Sequence, residues 1–178
     1  MSDAPALPER SQSVGEEIAN AVSHGVGLLL AMIAALVLVV AALQRGRVAG
    51  IVGASIFGAT MVLAYLTSTL YHALPMNRAK RIFRTLDHGA IFLLIAGTYT
   101  PFTLGPLRGT WGWTILGLVW SLAIAGVVFK AVAGARFPKL STCLYIAMGW
   151  LVIVAMEPLR LNLPLSGFYW LLAGGIAY

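Results

Sequence analysis

Glu17, Asn20 and His24 are spaced i, i+3, i+7, so on a helix they share one face; Ser68 and His72, at i, i+4, share another. From residue 68 to 91 the chain reads STLYHALPMNRAKRIFRTLDHGAI. An apolar run breaks off at His72, a basic segment follows, and Asp87 and His88 open the next apolar run. Imidazole, carboxylate and hydroxyl are the parts of a hard or borderline metal site. Neutral imidazole binds zinc at about 2.0 to 2.1 Å, and a nearby carboxylate can orient or deprotonate the metal's water. A catalytic zinc takes three protein donors and keeps one open position. His72 supplies one of them, so the set within this chain is incomplete.

The elements that must position these groups follow from composition. Of 178 residues, 60% are hydrophobic and 10% charged, which excludes an ordinary soluble domain. Crossing a hydrocarbon layer of about 30 Å takes about 20 apolar residues in a helix. Such runs lie near 21–43, 48–74, 88–107, 111–133 and 141–156, and a sixth begins near 165. The fold class expected is all-α, a polytopic transmembrane helix bundle. The sixth run has room for about 14 residues, a rise of about 21 Å, so the bundle reads as cut off within that span. Residues 1–15 read as a disordered cytoplasmic tail and 16–178 as the bundle domain. No basic leader with a small-residue cleavage site precedes the first run, so a removable signal peptide is not expected.

The net charge of +6 does not point to nucleic acid, because the cations interrupt apolar runs instead of forming one basic face. Membrane orientation accounts for them. With the N-terminus inside, the inner segments hold Arg10, Arg78, Lys80, Arg81, Arg84, Lys130, Arg136 and Lys139, and the outer ones Arg45, Arg47, Arg108 and Arg160. Eight against four of the 12 favours N-inside. Trp111, Trp113, Tyr169 and Trp170 then fall in the outer interfacial belt. Small residues at Gly50, Ala54 and Gly58, and at Gly117, Ser121 and Ala125, mark faces where helices are expected to approach closely. Cys143, inside an apolar run, is expected to pack and forms no disulfide framework. The glycines at 25 and 27 follow no strand, so they are no nucleotide loop.

Once oriented, Glu17, Asn20, His24, Ser68, His72, Asp87 and His88 all lie at one depth near the inner leaflet. Ionisable groups in a membrane are costly and face the bundle interior, paired or functional. A polar chamber opening toward the cytoplasm is the expectation, with other readings open at each residue. Ser68 can back-bond to the carbonyl of residue 64. Glu17 and Asp87 can be helix N-terminal caps. His24 and Asn20 can form one interhelical hydrogen bond, and a lone intramembrane histidine such as His72 is more often hydrogen-bonded than metal-bound. The segment from Met76 to Arg84 reads as a cytoplasmic loop touching anionic headgroups.

Glu17-xx-Asn20-xxx-His24, Ser68-xxx-His72, Asp87 about fifteen residues on, and GTYTPF from Gly97 to Phe102 resemble the bacterial hemolysin III family. That family is the prokaryotic branch of the progestin and adiponectin receptor group, in a superfamily of membrane hydrolases that includes alkaline ceramidases. The resemblance implies a seven-helix protein of a bacterial inner membrane, N-terminus cytoplasmic, with zinc near the cytoplasmic side. His72 would be a zinc ligand, Asp87 would hold or activate the zinc-bound water, and Ser68 would line the site and polarise a substrate carbonyl. Glu17, Asn20 and His24 would form a further polar cluster. In related proteins two more ligands come from an HxxxH pair on the seventh helix, which this sequence lacks. The activity implied is hydrolysis of lipid amide or ester bonds, with membrane lipid as partner and no nucleic acid. The alternatives are a pore-forming cytolytic protein and a non-catalytic, receptor-like lipid binder.

Overall fold

The computed structural model describes residues 12–134 and 137–177. The described residues form seven α-helices: α1 (Val14–Gln44), α2 (Val48–Ala73), α3 (Arg78–Leu104), α4 (Thr110–Ala133), α5 (Pro138–Trp150), α6 (Met156–Asn162) and α7 (Leu165–Ala177). A 3-10 turn, Leu151–Ala155, joins α5 to α6. The protein is an all-α polytopic bundle. Of the expected tail at 1–15, residues 1–11 lie outside the described residues, and the helix has already begun by Val14.

Local chemistry sets the boundaries. Ser13 and Glu16 form a reciprocal capping box at the start of α1, satisfying two backbone donors that a helix start leaves open. Gly46 takes a positive φ of 66° in the α1–α2 turn, a conformation open to glycine at no steric cost. Pro75 follows Leu74, whose extended backbone ends α2, as a residue before proline prefers. The Asn77 side chain then accepts from the Lys80 amide and starts α3.

Among the described residues, four segments are long and apolar enough to cross a membrane: Val14–Gln44, Val48–Ala73, Thr110–Ala133 and Pro138–Asn162. The last includes α5, the 3-10 turn and α6, so the expected span at 141–156 is longer and broken in its middle. α3 is comparably long, 27 residues or about 40 Å, but its first third is polar. The segment expected to be a loop, 76–84, is for the most part the opening of this helix. α3 tolerates polarity because it is wrapped: it packs between α2 and α4, with α5 also against it, and ten of its residues are buried. α1 buries only Ala31 among its described residues and packs on α2.

The GTYTPF stretch is the node where these helices cross. A Cβ on Gly97 would collide with the Thr60 side chain, and one on Gly53 would lie 2.8 Å from the Pro101 Cα, so the two glycines let α2 and α3 approach closely, backbone to backbone at Gly53. Thr100 returns its hydroxyl to the Ala96 carbonyl and accepts from the Trp120 indole at 3.2 Å. Tyr99 reaches α5, its hydroxyl 2.9 Å from the Met148 carbonyl and 2.8 Å from that of Gly149. The 3-10 turn begins just beyond, where a tighter pitch leaves such carbonyls without their usual partners. Tyr99 satisfies them inside the bundle.

Two small-residue expectations are corrected. In α4 the packed face runs through Gly112, Ile115, Val119, Ala123 and Gly126, with the Phe92 ring lying over Gly126. Gly117, Ser121 and Ala125 are on the exposed side. Both registers carry small side chains, and the large buried Phe92 settles which one turns inward. In α2, Gly58 packs on Ala35 and Gly53 on Pro101, whereas Gly50 is exposed. Cys143 is exposed on α5, not packed. Gly27 makes room for the Tyr65 ring.

Candidate functional site

The polar residues of α1, α2 and the first turn of α3 meet at one end of the bundle. Glu17 lies one turn into α1, beyond the capping box, and its carboxylate bridges the other two helices. Oε2 accepts from His72 Nδ1 at 2.8 Å, and Oε1 pairs with Lys80 Nζ at 2.9 Å. The His72 and Lys80 side chains are each 8% exposed and that of Glu17 is 22% exposed, so the charge pair sits under partial cover and is screened little by salt. Lys80 also donates to the Leu74 carbonyl at 3.1 Å and lies 5.0 Å from the centre of the Tyr71 ring. Three groups therefore hold one ammonium in place.

A second pair lies beside the first. His24 Nδ1 is 2.5 Å from the Ser68 hydroxyl, which is buried. The His24 and His72 rings stand edge to face with centres 5.5 Å apart. With Glu17 accepting from Nδ1–H, the neutral His72 ring carries its lone pair on Nε2, and Nε2 makes no further hydrogen bond among the described residues.

Of the residues picked out from sequence, Glu17, His24, Ser68 and His72 are thus brought together. Ser68 uses its hydroxyl across the helix interface, while its neighbour Thr67 is the one that back-bonds, to Leu63 and Ala64. Glu17 is no cap. Neither is Asp87, which lies nine residues after the start of α3. Asp87 is half-buried, about 10 Å along the helix from Lys80 and on the same face. It makes no hydrogen bond or ion pair among the described residues. Asn20 turns away from the histidines, its amide donating to Gln12 at 3.4 Å. His88 offers its backbone carbonyl to the Tyr145 hydroxyl at 2.8 Å. Lys80 was not picked out from sequence. Its signal is that it sits three residues after the capping Asn77 and seven before Asp87, a helical phase hidden by the surrounding cations.

The chain matches the family model described as "Haemolysin-III related" over residues 12–178. It belongs to the haemolysin III family. Relatives include Hemolysin-3 of Bacillus cereus, 50% identical over 172 residues, which is 97% of this chain and 78% of that protein. The Hemolysin-3 homolog of Bacillus subtilis (strain 168) is 50% identical over 166 residues, 93% of this chain and 78% of the relative. No solved structure matches. Membership and the spanning helices together make this haemolysin III protein a multi-pass membrane protein.

As for the zinc that the resemblance implies, no group of three or more His, Cys, Asp or Glu side chains able to hold a metal ion occurs among the described residues. His72, with a carboxylate behind it, has the form of a single well-oriented donor. The described residues do not by themselves make a complete zinc site.

Proposed function

We propose that this haemolysin III protein is a hydrolase of lipid amide or ester bonds, with its site in the Glu17, His24, Ser68, His72 layer at the cytoplasmic end of an N-inside bundle. The observation that supports it is the Glu17 to His72 contact of 2.8 Å. A carboxylate that accepts from the Nδ1–H of an imidazole held between helices leaves Nε2 as a directed electron-pair donor. That is the arrangement of a ligand or base. His72 would be one donor to zinc, and the family resemblance assigns the others to an HxxxH pair outside this set. Zinc, when bound, supplies an acidified water and polarises a carbonyl.

The chain's own residues have distinct tasks. Glu17, anchored by Lys80, orients His72. Ser68, held by His24, presents a hydroxyl to a substrate carbonyl. Asp87, half-buried and without a partner among the described residues, takes a proton from the attacking water. Asp87→Asn, in the full-length protein reconstituted in liposomes, is expected to leave zinc content unchanged and to lower cleavage of a fluorogenic lipid amide or ester about a hundredfold or more. Undiminished turnover would sink the proposal.

The name of the relatives, Hemolysin-3, supports a second reading, a cytolytic protein that permeabilises membranes. Release of dye from liposomes with no lipid product formed, and unaffected by a chelator, would favour it.

A further inference from the structure

A cavity of about 510 Å³ lies at the end of the bundle away from the histidine layer. The start of α2, the end of α3 and the start of α4 enclose it. Its lining includes Arg47, Arg108, Val48, Val52, Leu104 and Trp113. None of the residues lining it is acidic. Neither guanidinium is hydrogen-bonded or ion-paired through its side chain among the described residues.

Both arginines are placed by turns. Arg47 occupies the N-cap position of α2 without capping it through its side chain. Arg108 precedes Gly109, whose φ of 123° turns the chain into α4. Two like charges facing one cavity repel, and an anion with several acceptor oxygens relieves that repulsion. Guanidinium forks match phosphate oxygens in geometry as well as charge. Apart from Thr103, the remaining walls are apolar and open toward lipid: Val48 is 74%, Val52 41% and Trp113 66% exposed. Indole at this level suits the boundary between headgroups and acyl chains. The volume falls within the range of small-molecule pockets and far exceeds what a phosphate ion alone needs.

We propose that this cavity binds an anionic phospholipid, its phosphate bridging Arg47 and Arg108 and an acyl chain lying along Val52 and Leu104. Bound there, one lipid molecule ties together the ends of α2, α3 and α4. Cationic pockets between membrane helices select anionic headgroups by this chemistry.

Native mass spectrometry of the purified chain, titrated with phosphatidylglycerol or phosphatidylethanolamine, tests it. Phosphatidylglycerol is expected to bind at least about tenfold more tightly. The double variant Arg47→Gln with Arg108→Gln is expected to lose about tenfold in that affinity. Arg45→Gln with Arg160→Gln removes equal charge from exposed positions outside the cavity and is expected to change it less than about twofold. Val52→Trp fills the apolar floor with both arginines retained and is expected to weaken lipid binding, so a poorly folded double variant does not end the test. Equal loss from both arginine pairs would mean diffuse attraction and overturn the proposal. So would displacement of the lipid by glycerol 3-phosphate at matching concentration, which would make the ligand a free anion.

Discussion

Replacing Glu17 by Gln keeps the side chain's shape and removes the charge that Lys80 answers. In the variant the ammonium, in a residue 6% exposed, keeps only the Leu74 carbonyl and the Tyr71 ring. Breaking a buried ion pair costs about 3 to 5 kcal/mol. Water reaches the Glu17 carboxylate, 22% exposed, so the loss here is about 2 kcal/mol. The His72 contact survives as a weaker one, because an amide oxygen still accepts from Nδ1. Lys80→Met removes the other partner and is expected to cost about 1 to 2 kcal/mol, since Glu17 retains His72. The double variant is expected to cost less than the sum, with a coupling of about 1 to 2 kcal/mol. Unfolding in mixed dodecylmaltoside and SDS micelles, followed by tryptophan fluorescence, measures all four corners of the cycle. Additivity within about 0.5 kcal/mol would mean that the two side chains do not hold each other, and the account of the layer would fail.

Tyr99→Phe removes the proton shared by the Met148 and Gly149 carbonyls; a loss of about 1 to 3 kcal/mol is expected, with faster hydrogen exchange confined to the region of the 3-10 turn. His24→Ala and Ser68→Ala each remove the same contact and are expected to destabilise by about 1 kcal/mol apiece, with the double variant little worse than either; full additivity in the same micelle titration would deny the pairing. Gly126→Val drives a side chain into the Phe92 ring and is expected to cost about 1 to 3 kcal/mol. Gly117→Val on the exposed side is expected to be near neutral, and the reverse ranking by thermal unfolding would invert the assigned face of α4.

Spans and layer were readable because both rest on one-dimensional signals. A run of twenty apolar residues announces a helix in lipid, and Glu17, His24, Ser68 and His72 stand out because so little else in those runs is polar. Lys80 was hidden because the segment from Arg78 to Arg84 has the composition of a positive-inside loop, and only the placement of Asn77 as a cap shows it to be helical. The outward turn of Gly117, Ser121 and Ala125 was unreadable for a different reason. α4 carries small residues on two faces, and the choice between them is made by Phe92, a residue of another helix. The break in α5 likewise depends on a tyrosine about fifty positions earlier. Asp87 shows the limit from the other side: sequence brings it to the right depth and helix face, yet the structure gives it no bond to the histidine pair.

α1 contributes Glu17 and His24 to the layer, yet it stands at the rim of the bundle with a single described residue fully covered. Most of its other large side chains are exposed, with Leu28 and Val39 half-buried, and what detachment from α2 would uncover of this apolar surface acyl chains could solvate equally well. What such a detachment would sever is the polar stitching, leaving His72 and Lys80 stranded together. This rim helix therefore acts as the latch of the polar layer, and changes in bilayer thickness or lateral pressure would reach those side chains first through it.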